Sequence, residues 1–297
     1  MTLTLFLQQL ANALSLGSLY ALIAIGYTMV YGILRLINFA HGDVFMLGAY
    51  LAFYGAGVFL LPWWASVLLA IVLTTLFGVG LERTAYRPLR DSPRISIMVS
   101  AIGASFLLES LATVIFGGRP KGVQVPDLLN TVVELGGVSV LSVSLVIPVV
   151  TFAALAALLW IVNRTKTGMA MRAVSTDLDA ARLMAIDVNK IVSFTFGTGS
   201  FLAALGGILW SYKYPQLNPL MGMMPGIKCF IAAVVGGIGN IAGAVLGGFL
   251  LGFLELMIVA FFPDLSGYRD AFAFVLLIVV LLVKPTGLLG KNQAEKV

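Results

Sequence analysis

One cysteine, Cys229, and one histidine, His41, are all that the 297 residues contain of either type. A lone cysteine excludes an internal disulfide and a cysteine-based metal cluster. A lone histidine excludes a multi-histidine metal site within the chain. Charge is scarce as well: 10% of residues are Asp, Glu, Lys or Arg, where a soluble domain carries roughly 25%. Residues 1–34 hold no Lys or Arg, so the basic start of a secretory signal is missing and the first apolar segment is read as a retained span. No G-x-x-x-x-G-K-[ST], G-x-S-x-G or H-E-x-x-H occurs, which removes a P-loop, a nucleophile elbow and a zinc-protease site. Neither catalysis nor a cofactor or metal held by this chain is expected.

What the chain does have is apolar length. It is 60% hydrophobic with a mean hydropathy of +1.03. Apolar segments run over 8–32, 44–61, 64–81, 95–116, 139–162, 191–212, 224–238, 240–262 and 271–283. Most approach the ~20 residues that carry a helix across a bilayer. They are continuously apolar rather than alternating, so helices are expected and not barrel strands. The expectation is an all-α polytopic membrane protein, a bundle of about 8–9 transmembrane helices, some broken, in one domain over 1–297. The lipid bilayer is its partner, and the net charge of +5 is not a nucleic-acid footprint, because its placement follows the connections.

Cations gather in alternate connections. Residues 82–94 carry Arg83, Arg87, Arg90 and Arg94; residues 163–190 carry Arg164, Lys166, Arg172, Arg182 and Lys190; the tail carries Lys284, Lys291 and Lys296. The other connections are poorer, with Arg119 and Lys121 in one and Arg269 in another. Positive-inside reasoning puts the N-terminus out and the C-terminus in, over an odd number of crossings. Segment 224–238 is short and is read as a crossing, because a re-entrant hairpin there would turn the basic tail outward.

Small residues recur every fourth position. Gly239, Gly243 and Gly247 are so spaced, as are Gly248 and Gly252, and Gly199, Ala203 and Gly207. On a helix this spacing lets two backbones approach. Two interruptions split the apolar pattern, LINFAHGD at 36–43 and VVGGIGN at 234–240. Paired interruptions in a transporter point to broken helices beside a substrate path. NFAHGD and GNIAGA share an Asn-x-Ala opening, a weak sign of internal repetition. Asn38, His41, Asp43 and Asn240 are therefore candidates for a path or gate. The bland alternative is that Asn38 or Asp43 caps the second helix with His41 in water. Glu109 and Glu255 lie inside apolar runs, where a carboxylate is costly and is expected to find a structural partner. Lys228 is expected to reach outward to the interface.

The connection NRTKTGMAMRAVSTDLDAARLMAIDVNK, 163–190, is long for packed spans. Met169, Ala173, Leu178, Ala181, Leu183 and Ile186 make an apolar pattern among charges. Thr176 is a candidate cap, and Asp177 and Asp179 suit a helix N-terminus. An amphipathic helix here either docks a partner or lies in the headgroups.

Residues 16–50, ERTAYRPLR at 82–90, AAVVGGIGNIAGAVLGGFLLG at 232–252 and the closing VKPTGLLG at 283–290 resemble, in order and over nearly the whole chain, the LivH-type permease subunits of branched-chain amino-acid ABC importers. The resemblance implies a bacterial inner-membrane permease that pairs with a LivM-type second permease. It implies two cytoplasmic ATPases that bind the ATP and Mg, and a periplasmic amino-acid binding protein that delivers the ligand. Such permeases present a coupling helix with an E-A-A-x-x-x-G pattern. Asp179, Ala180 and Ala181 match it, with Ala185 where the pattern has Gly, so the resemblance assigns Thr176, Asp179, Ala180, Ala181, Leu183, Ala185 and Ile186 to ATPase coupling within a cytoplasmic loop at 163–190. Related permeases carry urea, short amides or other amino acids, and a stand-alone secondary transporter is the other reading.

Overall fold

The computed structural model describes residues 3–290 apart from positions 91 and 136; Lys291 and Lys296 of the tail lie outside the described residues. The chain is helical nearly throughout, with α1 Leu3–Leu34, α2 His41–Gly57, α3 Trp63–Leu81, α4 Arg94–Phe116, α5 Ser142–Arg164 and α6 Lys166–Thr176. There follow α7 Leu178–Leu183, α8 Val188–Lys213, α9 Met223–Gly236, α10 Ile241–Phe261 and α11 Arg269–Val283. Among the described residues, four short strands lie at one end. β1 Lys121–Gly122 pairs antiparallel with β4 Gln216–Leu217, and β2 Val132–Leu135 with β3 Val138–Leu141.

The nine expected segments appear as nine helices, α6 and α7 aside. Seven helical stretches among the described residues are long and apolar enough to cross a membrane, carried by α1, α3, α4, α5, α8, α10 and α11. The chain is thus a multi-pass membrane protein. α2 and α9 fall short, at 17 and 14 residues. At 1.5 Å per residue they reach about 25 and 21 Å, less than the ~30 Å of a hydrocarbon core.

α1 is apolar all round and free of charge, the pattern of a helix buried on every side. Leu19, Leu22, Ile23, Ala24 and Ile25 are all closed off, and α1 packs against α5, α8, α9 and α10. By contrast α4, α5 and α11 turn large apolar side chains outward, among them Phe106, Val114, Val149, Trp160, Ile278 and Leu282.

The four-residue spacing of small side chains serves two faces of α10. A Cβ on Gly243 or Gly247 would meet the α9 backbone at Gly236 and Ala232, while one on Gly248 or Gly252 would meet α1 at Ala21 and Gly17. Each contact pairs small residues four apart on both helices, so the backbones touch. Gly239 corrects the expectation: it precedes α10 and takes φ +91 in the turn. There the absent side chain permits a conformation rather than a helix contact.

The elements sort into two ends. At one, Gly32 lies against Gly239, Arg90 bonds Asn189, and the 284–290 segment bonds α9. At the other, Gln8 donates to the Ser139 carbonyl and Lys228 pairs with Asp270 at 2.6 Å.

Candidate functional site

The first interruption turns back into the protein. α1 ends at Leu34, Arg35 takes φ +53, and α2 starts at His41. The His41 ring packs on Tyr27, centroids 4.4 Å apart, and a Cβ on Gly26 would strike it. Gly26 lies eight residues before the end of α1, so α2 begins about 12 Å inside that end. Asn38, His41 and Asp43 are 3%, 1% and 3% exposed. The capping expectation is therefore corrected. Ala40 is the N-cap, neither Asn38 nor Asp43 caps by side chain, and His41 is out of water.

Each buried polar group has a specific neighbour. Tyr86 donates its hydroxyl to Asn38 Oδ1 at 2.7 Å, and Ser105 of α4 donates to Asp43 Oδ2 at 2.6 Å. His41 Nε2 has no hydrogen-bond partner. The start of α9 meets the start of α2 here. A Cβ on Gly42 would collide with Gly222, and one on Gly226 would lie 3.1 Å from the Gly42 Cα. Two short helices thus abut by bare backbone, a plug of main chain against main chain.

The second interruption is closed by main chain. A helix end leaves four carbonyls unpaired, and all four at the end of α9 are accounted for. Gly237, at φ +110, donates to Ala233 and Val234; Leu288 donates to Val235 and Leu289 to Gly236, each at 2.8 Å. Asn240 caps α10, accepting from the Ala242 and Gly243 N–H groups, and its Nδ2 donates to the Leu289 carbonyl at 2.8 Å. VKPTGLLG and VVGGIGN, distant in sequence, are one hydrogen-bonded unit. Asn240 is tied there and not to Asn38, His41 or Asp43, so the shared Asn-x-Ala opening gives two unlike geometries.

Glu82 was missed by the sequence reading. It is fully buried at the end of α3 and accepts from Arg87 Nη2 at 2.9 Å, Arg90 Nη2 at 2.8 Å and the Ser193 hydroxyl at 2.8 Å. Arg90 also donates to Asn189 Oδ1 at 2.8 Å. The backbone at 82–86 makes a π turn, with the Arg87 N–H on the Glu82 carbonyl. That wider turn, frequent at functional sites, aims Glu82 and Tyr86 inward together. The available signal was a carboxylate followed by arginines five and eight residues on. Glu255 pairs with Lys228 at 3.0 Å and accepts from the Tyr20 hydroxyl at 3.0 Å. Lys228 bridges two carboxylates, supplying a countercharge to buried Glu255 and reaching out to half-exposed Asp270 at 2.6 Å. Glu109 is half-buried on α4 with no ion pair among the described residues.

The 163–190 connection forms two helices, not one. Asp177 breaks them at φ −156 and accepts the Asp179 and Ala180 N–H groups. Asp177, not Thr176, is thus the cap; Thr176 ends α6 and donates to the Arg172 carbonyl. α7 closes with the Ala185 N–H on the Arg182 carbonyl and the Ile186 N–H on the Ala181 carbonyl, both 3.1 Å. This is a Schellman end, and Ala185 sits at its left-handed position with φ +59. So the alanine holds the geometry a glycine would give, at a cost of roughly 1–2 kcal/mol. Asp179, Ala180 and Ala185 face outward, Ile186 is half-buried, and Ala181 is 3% exposed and packs inward. Leu183 and Met184 project, 88% and 77% exposed. Asp187 opens α8, and the Lys190 N–H on its carboxylate holds that carboxyl below its usual range.

Comparison with known proteins agrees with the architecture. The family model described as "Branched-chain amino acid transport system / permease component" matches residues 9–281. The high-affinity branched-chain amino acid transport system permease protein LivH of Escherichia coli K12 is 42% identical, covering 98% of each chain. The corresponding permease protein BraD of Pseudomonas aeruginosa is 44% identical, again covering 98% of each. Among solved structures, PsaBC from Streptococcus pneumoniae in complex with Fab has a TM-score of 0.51 at 15% identity, over 94% of this chain and 92% of that one, a likeness of fold. With both interruptions and the ERTAYRPLR network inside the matched span, the chain belongs to the permease family of branched-chain amino acid transport systems.

Proposed function

We propose that the protein is the membrane-spanning permease subunit of an ATP-driven importer of leucine, isoleucine and valine in the bacterial inner membrane. The observation that carries this is full-length similarity to LivH and BraD, whose names state branched-chain amino acid transport. In this reading a LivM-type permease completes the pathway, two cytoplasmic ATPases bind ATP and Mg, and a periplasmic binding protein delivers the amino acid. The N-terminus faces out and the C-terminus in. Support comes from the basic end, where Arg83, Arg87, Arg90, Arg164, Lys166, Arg172, Arg182, Lys190 and Lys284 gather beside the ends of α1 and α9, as cytoplasmic loops do.

The coupling surface is the α7–α8 corner. Leu183 and Met184, exposed among charges, suit insertion into a cleft of an ATPase. Ala181 supports them from below, so a charge at Ala181 damages the fold before any contact. The interruption at 35–43 and the one at 237–240 form the gate region, with Asn38, His41 and Asp43 at its buried level and Asn240 at the inner end.

The test is purification of the tagged chain from its native membrane, with Leu183→Asp in parallel. The expected outcome is co-purification of a second permease and an ATPase with the unaltered chain, and loss of the ATPase alone with Leu183→Asp. A lone chain that moves amino acid in liposomes without ATP overturns the reading in favour of a secondary transporter.

A further inference from the structure

Three residues one helical face apart on α8 are held by the segment that follows α3. Asn189 accepts from Arg90, Ser193 donates to Glu82 and accepts from Arg87 Nη2 at 2.6 Å, and Phe196 packs on Tyr86 with ring centroids 5.0 Å apart. Their spacing, i, i+4 and i+7, is that of one stripe. The N-terminus of α8 follows directly on the α7 corner, through Asp187. From the same π turn, Tyr86 reaches the other way to Asn38, three residues before α2. Glu82 and Tyr86 are 0% and 2% exposed, so both ties lie inside the protein. The series runs from the corner through α8 and the 82–90 segment to the interruption at 35–40, without a gap.

We propose that Glu82 and Tyr86 are positioning residues that carry displacement of the α7–α8 corner to the plug at 35–43, linking ATPase movement to gate opening. This rests on the coupling reading above. A buried carboxylate with two guanidinium partners and a hydroxyl resists stretching, so the 82–90 segment moves with α8. The Tyr86 hydroxyl ties that segment to Asn38 at 2.7 Å, and is the place where the link is severed with least disturbance.

The experiment uses the whole importer reconstituted in liposomes with leucine-loaded binding protein, reading uptake and ATP hydrolysis together. Tyr86→Phe keeps the ring against Phe196 and removes only the tie. The expected result is a severalfold fall in leucine moved per ATP, with stimulated hydrolysis retained. Ser193→Ala should lower the same ratio, and the double variant should equal the worse single one, since a series link breaks once. An unchanged ratio in Tyr86→Phe, or independent multiplication of the two effects, overturns the proposal. Asn38→Ala removes the same bond from the other side. If both it and Tyr86→Phe prevent assembly, the tie is structural only and the proposal fails. Absence of stimulated hydrolysis in the unaltered importer would instead defeat the importer reading itself.

Discussion

The two interruptions are held by different means. At 35–43 the hold is mainly side chain: His41 on Tyr27, Asn38 under Tyr86, Asp43 under Ser105, with bare backbone where Gly42 meets Gly222 and Gly226. At 237–240 it is main chain: glycine turns and the carbonyls of α9 taken up by Leu288 and Leu289. Side-chain seals are adjustable, because rotamers change without unfolding a helix. A seal of backbone bonds on bare glycine has no such slack. The difference makes 35–43 the interruption held by adjustable groups and 237–240 the one held by fixed backbone.

Perturbations should separate the two. Glu82→Ala leaves Arg87 and Arg90 around an emptied buried position and should cost about 3–5 kcal/mol; a large loss of thermal stability in detergent checks it. Gly243→Leu drives a side chain into the Gly236 backbone and should cost roughly 3 kcal/mol or more, read as reduced expression. If it were tolerated, the second seal would be looser than its geometry. Asn240→Ala removes a cap and the tie to Leu289, an expected loss of about 1–2 kcal/mol, measurable as faster proteolysis of the C-terminal segment.

The α7–α8 corner, in water, makes the contrast sharper still. Ala185→Gly relieves a left-handed alanine and should raise local stability by about 1 kcal/mol, seen as slower hydrogen exchange in α7. The smallest effect is that of pH. Asp187 has its pKa lowered in the folded chain. Its contribution is therefore present above the unfolded value of 3.8 and is lost as pH falls through the lower folded value. Exchange at the start of α8 should rise only in that acidic window.

Nine helices, the α10 glycine contacts and the position of both interruptions were legible because apolar length and four-residue spacing are local properties. The Schellman end at Ala185 was half legible: the pattern marked the position, but not that alanine would accept a left-handed φ. Glu82 was not legible as a buried hub, since its partner Ser193 lies 111 residues away.

Sequence alone determined that this chain spans a membrane as helices, because a bilayer admits little else for continuously apolar segments. It excluded an internal disulfide too, because the chain holds a single cysteine. Tertiary structure decided which polar groups meet. His41 became a buried packing residue, Lys228 bridged buried Glu255 and half-exposed Asp270, Ala181 packed inward, and the C-terminal VKPTGLLG closed a helix end some 50 residues earlier. The physical reason is that in a dry interior every buried charge and backbone group must find a partner, and folding, not spacing, chooses which partner is near.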